Sequence, residues 1–129
     1  MPILDSLNNG TVKEYSVDEL IKKAKEMRAY NIISIYAAGS GHPGGTLSIM
    51  DIAAALYLKV ARHDSKTPDW EDRDRIFWSA GHKAPALYAA LAAAGYFPYE
   101  ETMKLRKLGS GFEGHPNRLN LPGIELSSG

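Results

Sequence analysis

The sequence predicts an α/β fold, rich in helix and with a parallel sheet that the chain leaves unfinished. Three observations point there. Ile76-Phe77-Trp78-Ser79 is a short, aromatic, β-prone run. Leu121-Pro122-Gly123-Ile124-Glu125-Leu126 begins like a second strand and then reaches Ser127-Ser128-Gly129. Four other segments carry helical spacing or helix-end signals. One strand or two cannot complete a sheet, so the chain reads as the opening of an α/β domain, either a fragment or one piece of a split protein.

Residues 1–15 read as a lead segment, and their first residues lack the basic start and apolar core of a signal peptide. The domain begins at Ser16, where Ser16 and Glu19 form the S-x-x-E capping box. Leu20, Ala24, Met27, Ile32 and Ile35 recur at helical spacing and predict one buried face. The run Gly39-Ser40-Gly41-His42-Pro43-Gly44-Gly45 should stop that helix, since four glycines and a proline continue no regular element. A second helix is expected from near Ser48, with Asp51 three residues on, through Ile52 to Leu58; it is apolar on most faces and so should be buried. Residues 62–75 are polar and contain Pro68, Asp64, Ser65 and Thr67, the composition of a surface connection. After the strand, a helix carries Pro85 in its first turn and Gly95 past its end. A last helix is expected over 99–108, with Glu100 and Glu101 at its start, Lys104, Arg106 and Lys107 at its end, and Gly109 closing it.

The chain has 129 residues, a length that fits one domain. Fifteen basic and 15 acidic residues cancel, which argues against a broad electrostatic footprint for nucleic acid or anionic lipid. There is no cysteine, so disulfides, thiolate zinc sites and a cysteine nucleophile are excluded. The uncharged stretch 29–50 is broken by Asn31, Pro43 and four glycines and is no membrane span. The expectation is a soluble, cytoplasmic protein. The alanine-rich stretch 84–94, the apolar second helix and an open sheet edge need covering, so association is expected.

Three of the four histidines follow a glycine: Gly41-His42, Gly81-His82 and Gly114-His115. Each lies at the end of a predicted element, where a rigid scaffold can aim a side chain at a ligand. Imidazole suits proton transfer with hydroxyls, and imidazolium suits a phosphate oxygen. Turn histidines without function are the plain alternative. His63, beside Asp64 in a polar loop, reads as an ordinary surface residue. Spacings of 40 and 33 residues match no metal-ligand motif, and no metal ligand is assigned. Gly39 to Gly44 and Gly109 to Gly114 match G-x-G-x-x-G, but both follow helices, and a dinucleotide loop needs a strand before it. Walker A and G-x-S-x-G patterns are absent.

Ser40-Gly41-His42-Pro43-Gly44-Gly45, Asp72-Arg73-Asp74-Arg75, Ser79-Ala80-Gly81-His82, Gly114-His115-Pro116 and Pro122-Gly123-Ile124-Glu125 occur in an order and spacing that resembles the N-terminal, thiamine-diphosphate-binding domain of transketolases. The likeness runs from about residue 15 to 129, so residues 16–129 would be the first part of that domain, truncated before its metal motif. It implies a thiamine-diphosphate enzyme that moves a two-carbon ketol unit from a ketose phosphate to an aldose phosphate, with magnesium on the cofactor's diphosphate. It also implies a place in the pentose phosphate pathway. By resemblance, His42 lies near the reacting carbonyl and hydroxyls and assists proton transfer. His82 would contact the diphosphate, His115 would hold the donor's terminal hydroxyl, and Gly129 would let its loop approach the cofactor. Asp72 to Arg75 read as a structural ion-pair network. Glu125 either orients loops near the site or caps a turn, and Lys83 and the serines receive no role.

The family's magnesium ligands and its pyrimidine-binding domain would lie outside these residues. The expectation is therefore a transketolase N-terminal subunit, of the split type, that needs a C-terminal subunit or the remainder of the chain and is inactive alone. A homo- or hetero-oligomer acting on sugar phosphates follows. Two other readings stand beside it: a non-catalytic transketolase-like assembly module, and a related enzyme with another donor, such as a sulfosugar or deoxy-sugar.

Overall fold

The computed structural model of the protein describes residues 15–129. Its elements in order are α1 (Val17–Ala38), α2 (Pro43–Leu47) and α3 (Met50–Ala55), which opens into a π-helical turn at Leu56–Val60. A 3-10 turn at Gly81–Lys83 leads into α4 (Ala84–Ala93), and a second 3-10 turn spans Tyr99–Lys104. The expected lead segment and its leader reading lie outside the described residues, except Tyr15, whose carbonyl accepts from Lys59 Nζ at 2.8 Å.

Helix α1 starts where its capping box predicts: Glu19 N–H donates to Ser16 Oγ at 3.2 Å, and Ser16 N–H donates to Glu19 Oε2 at 2.8 Å. It ends at Gly39, whose φ of 71° is the left-handed cap that glycine adopts without strain. Its buried stripe is Ala24, Met27, Asn31 and Ser34, with the expected Leu20 and Ile35 partly buried against the core; of the expected face only Ile32, 46% exposed, points away. The polar members of that stripe bond within the helix, Asn31 Nδ2 to the Met27 carbonyl and Ser34 Oγ to the Asn31 carbonyl. Short side chains there let α1 pack against α3 and α4.

Helix α4 is the centre of the fold. Every residue from Ala84 to Ala92 is buried, and α1, α2, α3 and both 3-10 turns pack around it. Its alanines permit close approach on all sides, while Leu87, Tyr88 and Leu91 fill the core with Met27, Met50, Tyr57, Leu105, Phe112 and Ile124. Truncating a side chain such as Leu91, which is fully buried, is worth about 2–5 kcal/mol.

Four sequence expectations meet a different outcome among the described residues. The glycine run ends α1 at Gly39 as expected, but its second half is not irregular: Pro43, at the first helical position, opens the new helix α2, and Gly44 and Gly45 follow it. The last helix shortens to a 3-10 turn, because Leu105 turns its side chain into the core and Arg106 then takes a left-handed φ of 59°. Among the described residues there is no β-strand, so the α/β class and the unfinished parallel sheet are not displayed; the architecture is helical. Ile76–Ser79 is extended and alternates, Phe77 61% exposed and Trp78 buried, but its backbone has no ladder partner among these residues. Residues 121–126 turn at Pro122-Gly123 instead of running as a strand. The second helix buries only one side: Ala53, Ala54, Tyr57 and Leu58 face the core, while Ile52 and Val60 are exposed. No helix among the described residues is long and apolar enough to cross a membrane.

Candidate functional site

Each of the three glycine-flanked histidines sits where a helix begins or a loop turns. Gly41 has a φ of 155° and lies against the Ile35 side chain, 3.1 Å from where a Cβ would stand, and this bend presents His42 as the residue before α2. His82 lies in the 3-10 turn that feeds α4. His115 follows Gly114 on an irregular loop that buried Phe112 and Pro116 anchor.

These loops meet. The His42 and His82 rings are edge to face, 5.6 Å between centroids. Gly45 leaves room for the His82 imidazole: a Cβ there would lie 3.1 Å from His82 Cδ2. A Cβ on Gly81 would lie 2.6 Å from the Gly129 Cα, and one on Gly129 would lie 3.0 Å from His115 Nδ1. Contact thus passes from His42 to His82, through Gly81 to Gly129, and on to His115. All four predicted site residues are exposed. Among the described residues, no hydrogen bond engages a ring nitrogen of His42, His82 or His115.

His63 is the contrast, and its surface reading is corrected. It is 7% exposed; Nε2 donates to the Tyr57 carbonyl at 2.6 Å, and Nδ1 lies 2.9 Å from the Tyr96 hydroxyl. A carbonyl only accepts, so Nε2 carries the proton and neutral Nδ1 accepts from Tyr96. The π-helical turn ends there, and His63 satisfies a carbonyl the ending helix leaves open. Burial lowers the His63 pKa below 6.5 and pushes the Tyr96 phenol up to about 12. This is a core histidine with both nitrogens occupied.

The ion pairs of the Asp72 to Arg75 segment reach outside it among the described residues. Arg73 grips Glu125 with two bonds, Nε to Oε1 at 2.7 Å and Nη2 to Oε2 at 2.9 Å. Asp74 instead closes the connection 62–74, accepting from the Arg62 N–H at 2.7 Å. Through this pair Glu125 ties residues 121–129 to the connection before Ile76, and among the described residues its carboxylate bonds only Arg73. Gly123, four residues earlier than Ser127, bends that segment at a φ of 84° against Leu91 and Tyr96.

Lys83, to which sequence gave no role, donates from Nζ to the Gly45 carbonyl at 2.7 Å and so ties the His82 turn to α2. Ser128 Oγ is buried without a hydrogen-bond partner among the described residues. Arg106 reaches Ser40 Oγ at 3.1 Å. Lys83 stands directly after Gly-His, which is the one local signal that marked it. The Ser40 partner of Arg106 lies 66 residues away, too distant in sequence to signal anything.

A diphosphate fits this surface. Exposed imidazoles with free nitrogens and a nearby ammonium can donate to anionic oxygens, and glycines at 45, 81 and 129 keep the approach open. Magnesium does not fit the described residues: no group of three His, Cys, Asp or Glu side chains is placed to hold a metal ion. Neither G-x-G-x-x-G segment stands between a strand and a helix, since the first is a helix cap and the second a loop.

Comparison with known proteins agrees with this arrangement. Residues 20–129 match the family of the transketolase thiamine diphosphate binding domain. The chain is 39% identical over 118 residues to a 6-deoxy-6-sulfo-D-fructose transketolase subunit of Clostridium sp. (strain MSTE9), covering 92% of this chain and 42% of that protein. It is 40% identical over 116 residues to a transketolase of Buchnera aphidicola, covering 89% of this chain and 17% of that one. In structure it resembles transketolase from Leishmania mexicana, with a TM-score of 0.82, 34% identity, and coverage of 91% of this chain and 17% of the other. The chain thus spans less than half of each of these relatives. With the match running through all three histidine loops, the chain belongs to the transketolase family and carries part of its thiamine-diphosphate-binding domain.

Proposed function

We propose that this chain forms, with a complementing polypeptide, a transketolase that moves a two-carbon ketol unit from a ketose phosphate to an aldose phosphate. The observation that carries the proposal is the meeting of three exposed, unpartnered imidazoles on three separate loops, inside a transketolase-type domain. Thiamine diphosphate, when bound, supplies the nucleophilic carbon and the electron sink for cleaving the bond beside the donor carbonyl. His82 donates an N–H to a diphosphate oxygen. His42 takes and returns protons at the substrate hydroxyls, a role worth about 10²–10⁴-fold in rate. His115 holds the donor's terminal hydroxyl, and Gly129 keeps its loop clear of the cofactor. The magnesium ligands come from outside the described residues.

The complementing polypeptide also supplies what the fold lacks. Ile76–Ser79 becomes a strand of a parallel sheet when partner strands reach its open backbone. The exposed apolar side chains Ile52, Val60 and Phe77 are covered in the same assembly. A cytoplasmic hetero-oligomer of split subunits is the form in which the enzyme works. The similarity to a sulfofructose transketolase subunit supports a second donor class, a ketose carrying a sulfonate in place of the phosphate.

The test is reconstitution. The 129-residue chain alone should show no ketol transfer, and adding a polypeptide with the remaining transketolase domains should restore it. His42→Ala should then lower kcat by about 10²-fold or more. Turnover by the chain alone would overturn the proposal. So would a stable complex without turnover, which is what the assembly-module reading predicts. Comparing phosphate and sulfonate ketoses in that assay decides the donor.

A further inference from the structure

We propose that Arg106, with Lys107 beside it, is a positioning residue that fixes the His42 loop against the His115 loop. Its guanidinium lies between the two. Nη1 donates to Ser40 Oγ at 3.1 Å, two residues before His42. The guanidinium also packs on Gly114, the residue before His115, so closely that a Cβ there would stand 3.0 Å from Nε and 3.3 Å from Cζ. Lys107 reaches the same helix end, its Nζ donating to the Ala37 carbonyl at 2.9 Å. Helix α1 has no basic residue in its own last turn, so these two side chains supply the cations that its open carbonyls and dipole favour.

The backbone supports the assignment. Arg106 holds a left-handed φ of 59°, a conformation that costs a side-chain-bearing residue energy and that glycine would take freely. The Arg106 N–H is held by the Phe112 carbonyl at 2.8 Å, whatever side chain stands there. Backbone strain at a side-chain-bearing residue points to a role for that side chain. Because His42 and His115 carry different roles on one substrate, a strut between their loops sets the distance at which both engage it.

What the strut does for catalysis rests on the transketolase reading, whereas the coupling between the loops does not. The experiment therefore reads the histidines directly, by NMR of their imidazole resonances in the protein associated with its complementing polypeptide and free of substrate. Ser40→Ala should move the His115 resonance in the wild-type background and move it at least threefold less in an Arg106→Gln background. An equal shift in both backgrounds would overturn the proposal. The buried His63 resonance reports that each variant is folded. Should Arg106→Gln fail to fold, Arg106→Gly serves, since glycine accepts the left-handed backbone. Arg106→Lys separates a strut from general support: the ammonium can still reach Ser40 but cannot cover Gly114, so the His42 resonance should recover and that of His115 should not. Recovery of both, or of neither, would contradict the geometry. Loss of turnover in the reconstituted wild type, with the coupling intact, would instead refute the transketolase reading alone.

Discussion

Breaking the Arg73–Glu125 pair should destabilise the protein more than any other loss of a single ion pair among the described residues. Both side chains are 13% exposed, and the two parallel bonds of 2.7 and 2.9 Å use both carboxylate oxygens. A third donor, Arg73 Nη1, bonds the Trp70 carbonyl at 2.7 Å. Arg73→Met fills the space but strands the carboxylate, for which a fully buried pair would cost about 3–5 kcal/mol. The remaining water contact trims that to about 2–4 kcal/mol, or roughly 10 °C in Tm for a domain of this size. Glu125→Gln keeps the shape and one acceptor while turning an amide N–H toward the guanidinium, and should cost about 1–3 kcal/mol. The double variant Arg73→Met with Glu125→Leu removes both charges and should return to within about 1 kcal/mol of the wild type. Urea unfolding followed by Trp70 and Trp78 fluorescence measures all three. A loss below about 0.5 kcal/mol for Arg73→Met would mean the pair behaves as a solvated surface contact. A double variant as unstable as Arg73→Met would mean the loss came from packing instead of a stranded charge.

Four further outcomes are expected. Gly123→Ala should cost about 2–4 kcal/mol in urea unfolding, because the left-handed backbone is strained and the new methyl would stand 2.6 Å from Leu91 Cδ2. Gly81→Ala forces the Ser128-Gly129 backbone away by close to an ångström while sparing the core, so affinity for thiamine diphosphate in the reconstituted enzyme should fall at least tenfold; unchanged affinity would separate Gly129 from the cofactor site. His63 has a folded pKa below its unfolded value of 6.5, so the stability tied to its neutral form is complete above that pH and is lost as pH falls through the folded value. A pH series of urea midpoints should show that slope, and His63→Gln should flatten it. Ser16→Ala removes the capping acceptor of α1 and should cost about 1 kcal/mol, seen as a lower urea midpoint.

What could be read from sequence was local. Ser16 and Glu19 are three residues apart, and Pro85 and Gly95 bracket one helix, so their physics is contained in a short window. The Gly-His pairs were legible for the same reason, since a glycine beside a histidine marks a bend that displays the ring. The rest depends on partners far along the chain. His63 looked solvated because Asp64 is its neighbour, but Tyr96, 33 residues away, completes its burial. Glu125 was ambiguous because Arg73 is 52 residues away. The last helix was overextended because charges complementary to the helix dipole persist to Lys107, whereas burial of Leu105 ends it at Lys104. Ile76–Ser79 has the composition and alternation of a strand, yet pairing is a property of two segments, and the described residues supply only one.

The proposed function requires that the loops of His42, His82 and His115 face one ligand. The most direct test follows the four histidine imidazole resonances in the reconstituted protein during titration with thiamine diphosphate, then with a donor ketose phosphate. His82 should move with the cofactor, His42 and His115 should move when the donor is added, and His63 should stay still throughout. A His82 resonance indifferent to the cofactor, or a His63 resonance that moves as far as the others, would contradict the proposal.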